Sequence, residues 1–172
     1  MYSRESGIPL SLYAYAGGVL SRAASSREMN MTRGEAERLL RSLADAYGVS
    51  VGRLFDGRDV AGLMLGAAEL FFRYDEGLRA LWCGALVYRF RAEPKPGVLE
   101  AFFEEEREGV DAPDSGGAAL EYRGETRSLL LARTYESAPG TEEFVGDVKS
   151  LAESSLVWAR DAVPRVASRR KN

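Results

Sequence analysis

The sequence predicts an α+β domain in which an antiparallel β-sheet is combined with three helices, in the order α-β-β-β-α-β-β-α. Three observations lead to this prediction. Three segments carry apolar residues at helical spacing, and the stretches between them show the alternation with a period of two that is typical of strands. Helices and strands also occur in separate runs, which favours an antiparallel sheet over a parallel one.

The first helix is predicted from a start signal and a stop signal. Residues 32–35, TRGE, form a capping box in which the Thr32 hydroxyl and the Glu35 carboxylate satisfy backbone donors of the first turn. Gly48 stands where a left-handed residue is expected to end the helix. Between these signals the apolar residues recur at helical spacing: Ala36, Leu39, Leu40, Leu43 and Tyr47.

Residues 60–90 are predicted to form two or three strands. Gly62 and Gly66 disfavour a helix interior in an otherwise helix-friendly stretch. From Leu78 to Phe90 the residues alternate so that one face is apolar throughout and the other is apolar in its middle. Both faces of this part of the sheet are therefore expected to need cover, whereas an antiparallel sheet with helices on one side commonly leaves the other polar.

The second helix is predicted to begin near Val98 and to end at Gly109. Its apolar side is formed by Val98, Leu99, Phe102 and Phe103, and its polar side by Glu100, Glu104, Glu105 and Glu108. A hairpin follows, with strands at 120–123 and 128–135 and a turn around Gly124. Its second strand contains three consecutive leucines and is therefore apolar on both faces: Leu129, Leu130 and Leu131.

The third helix is predicted to begin at a Thr141 cap and to end at Pro164. Glu142 and Glu143 lie in its first turn, where negative charge is favourable to the helix dipole. Its apolar stripe is formed by Phe144, Val148, Leu151, Ser155, Leu156, Ala159 and Val163.

The chain of 172 residues is expected to fold as one domain, residues 32–163. Residues 1–31 are expected to be an extension that is either poorly ordered or the product of an over-called translation start, with a loosely packed helix as the alternative. A secretory signal is disfavoured because its basic region holds only Arg4 against Glu5. Residues 164–172 are expected to form a basic, flexible tail.

Composition and residue types leave little room for catalysis. There is no histidine and one cysteine, so Ser-His-Asp sites, Cys-His sites and histidine-ligated zinc cannot form within the chain. Cys83 lies in a predicted strand and is expected to be structural. Residues 104–106 are all glutamates, and a solvated helix face explains them better than a cation site. No catalytic residue, metal or cofactor is expected, and the net charge of −3 does not suggest nucleic acid.

From Leu120 onwards the hairpin LEYRGETRSLLLARTY, the Pro/Gly loop and the helix TEEFVGDVKSLAESSLVWA resemble the C-terminal half of class I type III secretion chaperones, the Tir-chaperone family. The earlier elements match in order and length, so the resemblance spans residues 32–163. It implies a cytoplasmic homodimer that binds the N-terminal segment of a secreted effector in extended form, with no catalysis, no nucleic acid and no membrane insertion. Two alternatives stay open: a dimeric regulatory module that binds a folded partner, and an enzyme that uses carboxylates alone.

Two surfaces are predicted under this resemblance. The effector is expected to contact apolar residues of the first helix and the early strands, unless all of these belong to the core: Leu40, Leu43, Leu63, Leu65 and Phe71. The homodimer is expected to use the second helix and the strand beside it, which carry more apolar surface than one chain needs: Leu99, Phe102, Phe103, Leu129 and Leu131.

Overall fold

The structure of the protein, a computed structural model, describes residues 30–50, 60–109 and 117–169. It confirms the α+β fold: a five-stranded, fully antiparallel sheet in the order β1-β2-β3-β5-β4 is combined with helices. The elements in chain order are α1 (Arg33–Tyr47), β1 (Val60–Leu65), β2 (Ala68–Asp75), β3 (Ala80–Arg89), α2 (Val98–Glu108), β4 (Ala119–Arg123), β5 (Ser128–Tyr135), α3 (Thr141–Val157), a π-helical turn (Trp158–Ala162) and α4 (Val163–Arg169).

The helices pack against one face of the sheet, which we call the inner face, and the opposite face is the outer face. Alternate residues of each strand point to the inner face, because side chains along a strand alternate in direction. These inner residues form the main core with the apolar sides of α1 and α3: Ala61, Leu63, Leu70, Phe72, Leu81, Cys83, Leu129, Leu131, Leu39, Leu40, Leu43, Phe144, Val148 and Leu151.

Helix α1 begins and ends as the sequence predicts. The Glu35 carboxylate accepts a hydrogen bond from the Thr32 amide at 2.7 Å, the Glu35 amide donates to the Thr32 hydroxyl at 3.2 Å, and Gly48 is left-handed with φ of 62°. Met31, expected to belong to an extension, is instead fully buried in the core. Its amide donates to the carbonyls of Arg79 at 2.9 Å and Glu136 at 3.1 Å, so the folded domain begins before the capping box.

The β4–β5 hairpin connects its strands at the predicted place, with the turn at residues 124–127. Gly66 is left-handed, with φ of 61°, in the two-residue connection between β1 and β2. In the β4–β5 turn the left-handed residue is Arg127, with φ of 51°, while Gly124 carries no positive φ. The turn is closed by the Arg127 amide, which donates to the Gly124 carbonyl at 3.2 Å.

Both predicted ends of the third helix are wrong. Its N-cap is Gly140, and Thr141 is the first helical residue. At the other end the helix continues through the π-helical turn into α4, because that turn shifts the backbone hydrogen bonds just before Pro164, which cannot donate one. Residues 164–169, expected to be a flexible tail, are therefore helical, and Val166 is buried.

Helix α4 is held against α2 by a buried carboxylate. The side chain of Glu105 is only 4% exposed, and its two oxygens lie 2.9 Å from Arg165 Nη2 and 2.8 Å from Arg169 Nη2. The sequence predicts Glu105 on the polar side of this helix, and the structure corrects that prediction, because the carboxylate is buried. The two arginines supply the charge that makes its burial possible.

Candidate apolar binding surface at the sheet edge

The outer face is covered in part by a single side chain. The indole of Trp82 lies over Gly84, where a Cβ atom would come within 2.7 Å of Trp82 Cζ2. Trp82 Nε1 donates to Glu121 of β4, so this side chain reaches across β5. Leu130 of β5, which pairs with Glu121 and points to the outer face, is buried. The three leucines of β5 are therefore all buried within one chain, Leu129 and Leu131 on the inner face and Leu130 on the outer face.

The β4 edge of the sheet is closed by helix α2. The Leu120 amide points away from β5 and donates to a carboxylate oxygen of Glu106 at 2.7 Å. Partial burial raises the pKa of Glu106 above its usual value, and the hydrogen bond from Leu120 counteracts this in part. A backbone donor that a further strand would need at this edge is already occupied.

The β1 edge is different. β1 forms the border of the sheet opposite to β4. Among the described residues, β1 pairs with β2 only, and no strand or helix pairs with its other edge. Apolar side chains with exposed surface stand on both faces here. Leu65 is half-buried on the inner face, Met64 is 54% exposed on the outer face, and Phe71 of β2 is half-buried on the outer face opposite Gly62. This border, with Leu65, Met64, Phe71 and Gly62, is called the β1 surface below.

The five residues predicted to contact an effector do not form one surface. Leu40, Leu43 and Leu63 are buried in the core of this chain and offer almost no area to a partner. Leu65 and Phe71 keep exposed surface, but they lie on opposite faces of the sheet. Sequence reasoning missed Met64, although the same alternation that turns Leu63 and Leu65 inward turns Met64 outward.

The residues predicted for the dimer interface are likewise partly in the core and partly at the surface. Leu129, Leu131 and Phe102 are buried under the helices of one chain and have little area left to contribute. Leu99 and Phe103 on α2 are half-buried. The sequence did not single out Tyr88 of β3, which is exposed and meets Phe90 edge-on with ring centroids 4.9 Å apart. Phe90 in turn meets Phe102 of α2 edge-on, with centroids 6.3 Å apart.

The side chains considered above as catalytic candidates lie in environments that favour a structural role. Cys83 is fully buried, and burial raises the pKa of its thiol far above the usual range, so the nucleophilic thiolate is not available. Among the residues that the structure describes, no group of three or more His, Cys, Asp or Glu side chains could hold a metal ion. None of the helices in those ranges is long and apolar enough to cross a membrane.

The comparisons with known proteins define the class of fold. The chain is similar to a chain in the crystal structure of the ExsC–ExsE complex, with 16% identity and a TM-score of 0.58 over 76% of this chain and 96% of that one. It is also similar to a chain in the structure of the HopA1–SchA chaperone–effector complex, with 12% identity and a TM-score of 0.52 over 73% of this chain and 94% of that one. The fold is that of type III secretion chaperone structures.

The comparisons of sequence found no match. No family model matches the chain, and no curated protein matches it either.

Proposed function

We propose that this protein is a non-enzymatic, cytoplasmic secretion chaperone that binds the N-terminal segment of a type III effector in extended form and keeps it soluble and competent for export. The observation that carries the proposal is the difference between the two borders of the sheet. Glu106 occupies a backbone donor of β4, whereas β1 ends the sheet with apolar side chains exposed on both faces.

A strand edge that no other element of the described residues pairs with, and that carries apolar residues, suits an extended peptide. The main chain of the peptide can pair with β1, while its alternating side chains contact Leu65 on one face and Met64 and Phe71 on the other. Such an edge is a hazard for a protein that has no partner, because it can pair with other chains. The similarity to chains from the two complexes supports a partner of this kind.

The experiment is co-expression of the full chain with roughly the first 100 residues, the scale of a small domain, of the secreted protein encoded beside its gene. We expect a stoichiometric complex and slowed hydrogen exchange of the β1 amides. Met64→Glu should abolish the complex and leave the melting temperature unchanged, because the side chain is already 54% exposed. Leu78→Glu is the matched control, since Leu78 is 70% exposed in the β2–β3 turn.

Two results would overturn the proposal. One is a complex that forms without slowed exchange in β1 and survives Met64→Glu. The other is tight binding of a folded partner with no preference for an extended segment, which would favour the alternative of a regulatory module.

We also infer that the chaperone is a homodimer that pairs through α2. Leu99 and Phe103 on this helix are half-buried, and Tyr88 is exposed and connected to the helix through Phe90, which meets Phe102. Light scattering should report two chains for the unmodified protein and one for Phe103→Glu, with the helical circular dichroism retained. Leu156→Glu, on the exposed side of α3, is the control that should stay dimeric. A monomer at micromolar concentration would contradict the inference.

A further inference from the structure

We propose that the β1 surface selects client strands by two side chains: a large apolar residue that occupies a notch at Gly62, and an acidic residue two positions away that pairs with Arg73. This inference rests on the proposed function, because it assumes that a client strand pairs with β1. It adds a sequence preference to that function and assigns it to residues of the outer face.

The notch is a consequence of a missing side chain. Gly62 is exposed on the outer face of β1, directly opposite Phe71, and nothing in the described part of the chain lies within 4 Å of the point where a Cβ would stand. Phe71 pairs on its other side with Gly84, so its ring is flanked by two glycines. A side chain that enters from the open edge can therefore lie across Gly62 and reach Phe71.

At the other glycine beside Phe71, a side chain of the protein already provides such cover. Over Gly84 the space beside Phe71 is filled by the indole of Trp82, which packs against the glycine backbone. Over Gly62 no side chain of the described residues plays this part. A large apolar client residue would provide at Gly62 the cover that Trp82 provides at Gly84, and it would remove the exposed surface of Phe71 from water.

The charge preference follows from the arginines of the outer face. Arg89 pairs with Glu69 at 3.3 Å, and Arg123 pairs with Glu121. Arg73 is exposed on the same face, and it makes no ion pair with the carboxylates of the described residues. A client carboxylate is the natural partner for this remaining charge.

The strand register relates the two contacts. Gly62 pairs with Phe71, and two residues earlier in β1 Val60 pairs with Arg73. In an added strand, the residues opposite Gly62 and Val60 are two positions apart and point to the same face. Arg73 lies two strand spacings from the client, about 10 Å, a gap that an extended arginine and a glutamate side chain can bridge from its two sides.

The test is selection of a library of random 12-residue peptides on the full-length protein and on three variants. We expect the unmodified protein to enrich a large apolar residue with an acidic residue two positions away. Gly62→Val should fill the notch and reduce affinity for the enriched peptides about tenfold or more, the scale of burying one large apolar side chain. This variant should fold normally, because the position has free space and valine favours strands.

The charge reversal Arg73→Glu gives the sharper readout. It should replace the acidic residue by lysine or arginine in the selected peptides and weaken the original ones about two- to fivefold, as for an exposed ion pair. Lys149→Glu, an equal charge change on the exposed side of α3, should alter neither.

The outcomes separate this inference from the proposed function. The inference would be overturned, and the proposed function would stand, if the selected peptides slow hydrogen exchange in β1 but lack the pair of an apolar and an acidic residue. Such peptides would also bind the Gly62→Val protein as well as the unmodified protein. If no peptide slows exchange in β1 and the secreted segment does not bind either, both fail.

Discussion

The indole nitrogen of Trp82 donates a hydrogen bond to a carboxylate oxygen of Glu121, 3.0 Å away, across the intervening strand β5. The guanidinium of Arg123 lies over the same ring, 4.7 Å from its centroid. The tryptophan is therefore fixed at its edge and on its face, and it covers the part of the outer face above Gly84.

We expect Trp82→Ala to lower the free energy of unfolding by about 2–4 kcal/mol, because it leaves a gap over Gly84 and removes a large side chain from the outer face. Urea unfolding followed by far-ultraviolet circular dichroism measures the loss. Glu121→Gln is the control, since its amide oxygen can still accept the indole hydrogen bond. A loss as large for Glu121→Gln as for Trp82→Ala would mean that charge, and not cover, is the main contribution.

Glu106 should make stability fall as pH rises. Partial burial raises the pKa of this carboxyl, so the folded state binds its proton more tightly than the unfolded chain does. The stabilisation is present below the ordinary pKa of 4.5 and is lost as pH rises through the folded value. Glu106→Gln keeps an acceptor for the Leu120 amide and should remove this dependence. Unfolding in urea from pH 4 to pH 7 compares the two slopes, and equal slopes would contradict the prediction.

The capping box of α1 should show the opposite sign. The Thr32 amide, followed by its hydroxyl, lowers the pKa of Glu35, so this stabilisation is present above the ordinary value of 4.5 and is lost as pH falls. We expect Thr32→Ala to cost about 1 kcal/mol at neutral pH and less at pH 3. Ser42→Ala, which removes a hydroxyl bonded within the same helix, should cost little. If the loss of stability caused by Thr32→Ala does not change with pH, the Glu35 carboxylate does not contribute to the capping box as described.

Substitution of both arginines that pair with Glu105 should reveal the free-energy cost of burying its carboxylate. We expect the double substitution Arg165→Ala and Arg169→Ala to destabilise the protein by about 2–4 kcal/mol, because a carboxylate with 4% exposure loses its partners. Addition of Glu105→Leu should restore most of the loss. If the double variant is as stable as the unmodified protein, α4 is not held against α2 as described.

Cys83 should be inert in the folded protein. Its thiol is buried and its pKa raised, so a thiol reagent is expected to label it only as fast as the chain unfolds. Cys83→Ser should cost about 1–3 kcal/mol by burial of a hydroxyl and should still bind the client segment. Rapid labelling of the native protein, or loss of binding by a folded Cys83→Ser variant, would disprove this assignment.

The sequence predicted those features that depend on neighbours a few residues apart. The Thr32–Glu35 box, the left-handed Gly48 and the hairpin between 120 and 135 involve contacts within about one turn or across one tight loop, so their residue types alone indicate them. The helical stripes and the alternating strands were likewise sufficient for the α+β fold. The error at Pro164 arose because a π-helical turn, which no local signal indicated, lets the helix continue.

The contacts that define the surfaces were decided only by the tertiary structure. Trp82 meets Glu121 across 39 positions of sequence, and Arg165 meets Glu105 across 60. Periodicity shows that a strand has two apolar faces, but it cannot say whether a helix, a tryptophan or a partner covers each one. By itself the sequence therefore determined the order of elements and their amphipathic faces. Which of those faces remained exposed, at Met64 and Phe71 rather than at Leu40 and Leu43, depended on how the elements packed together.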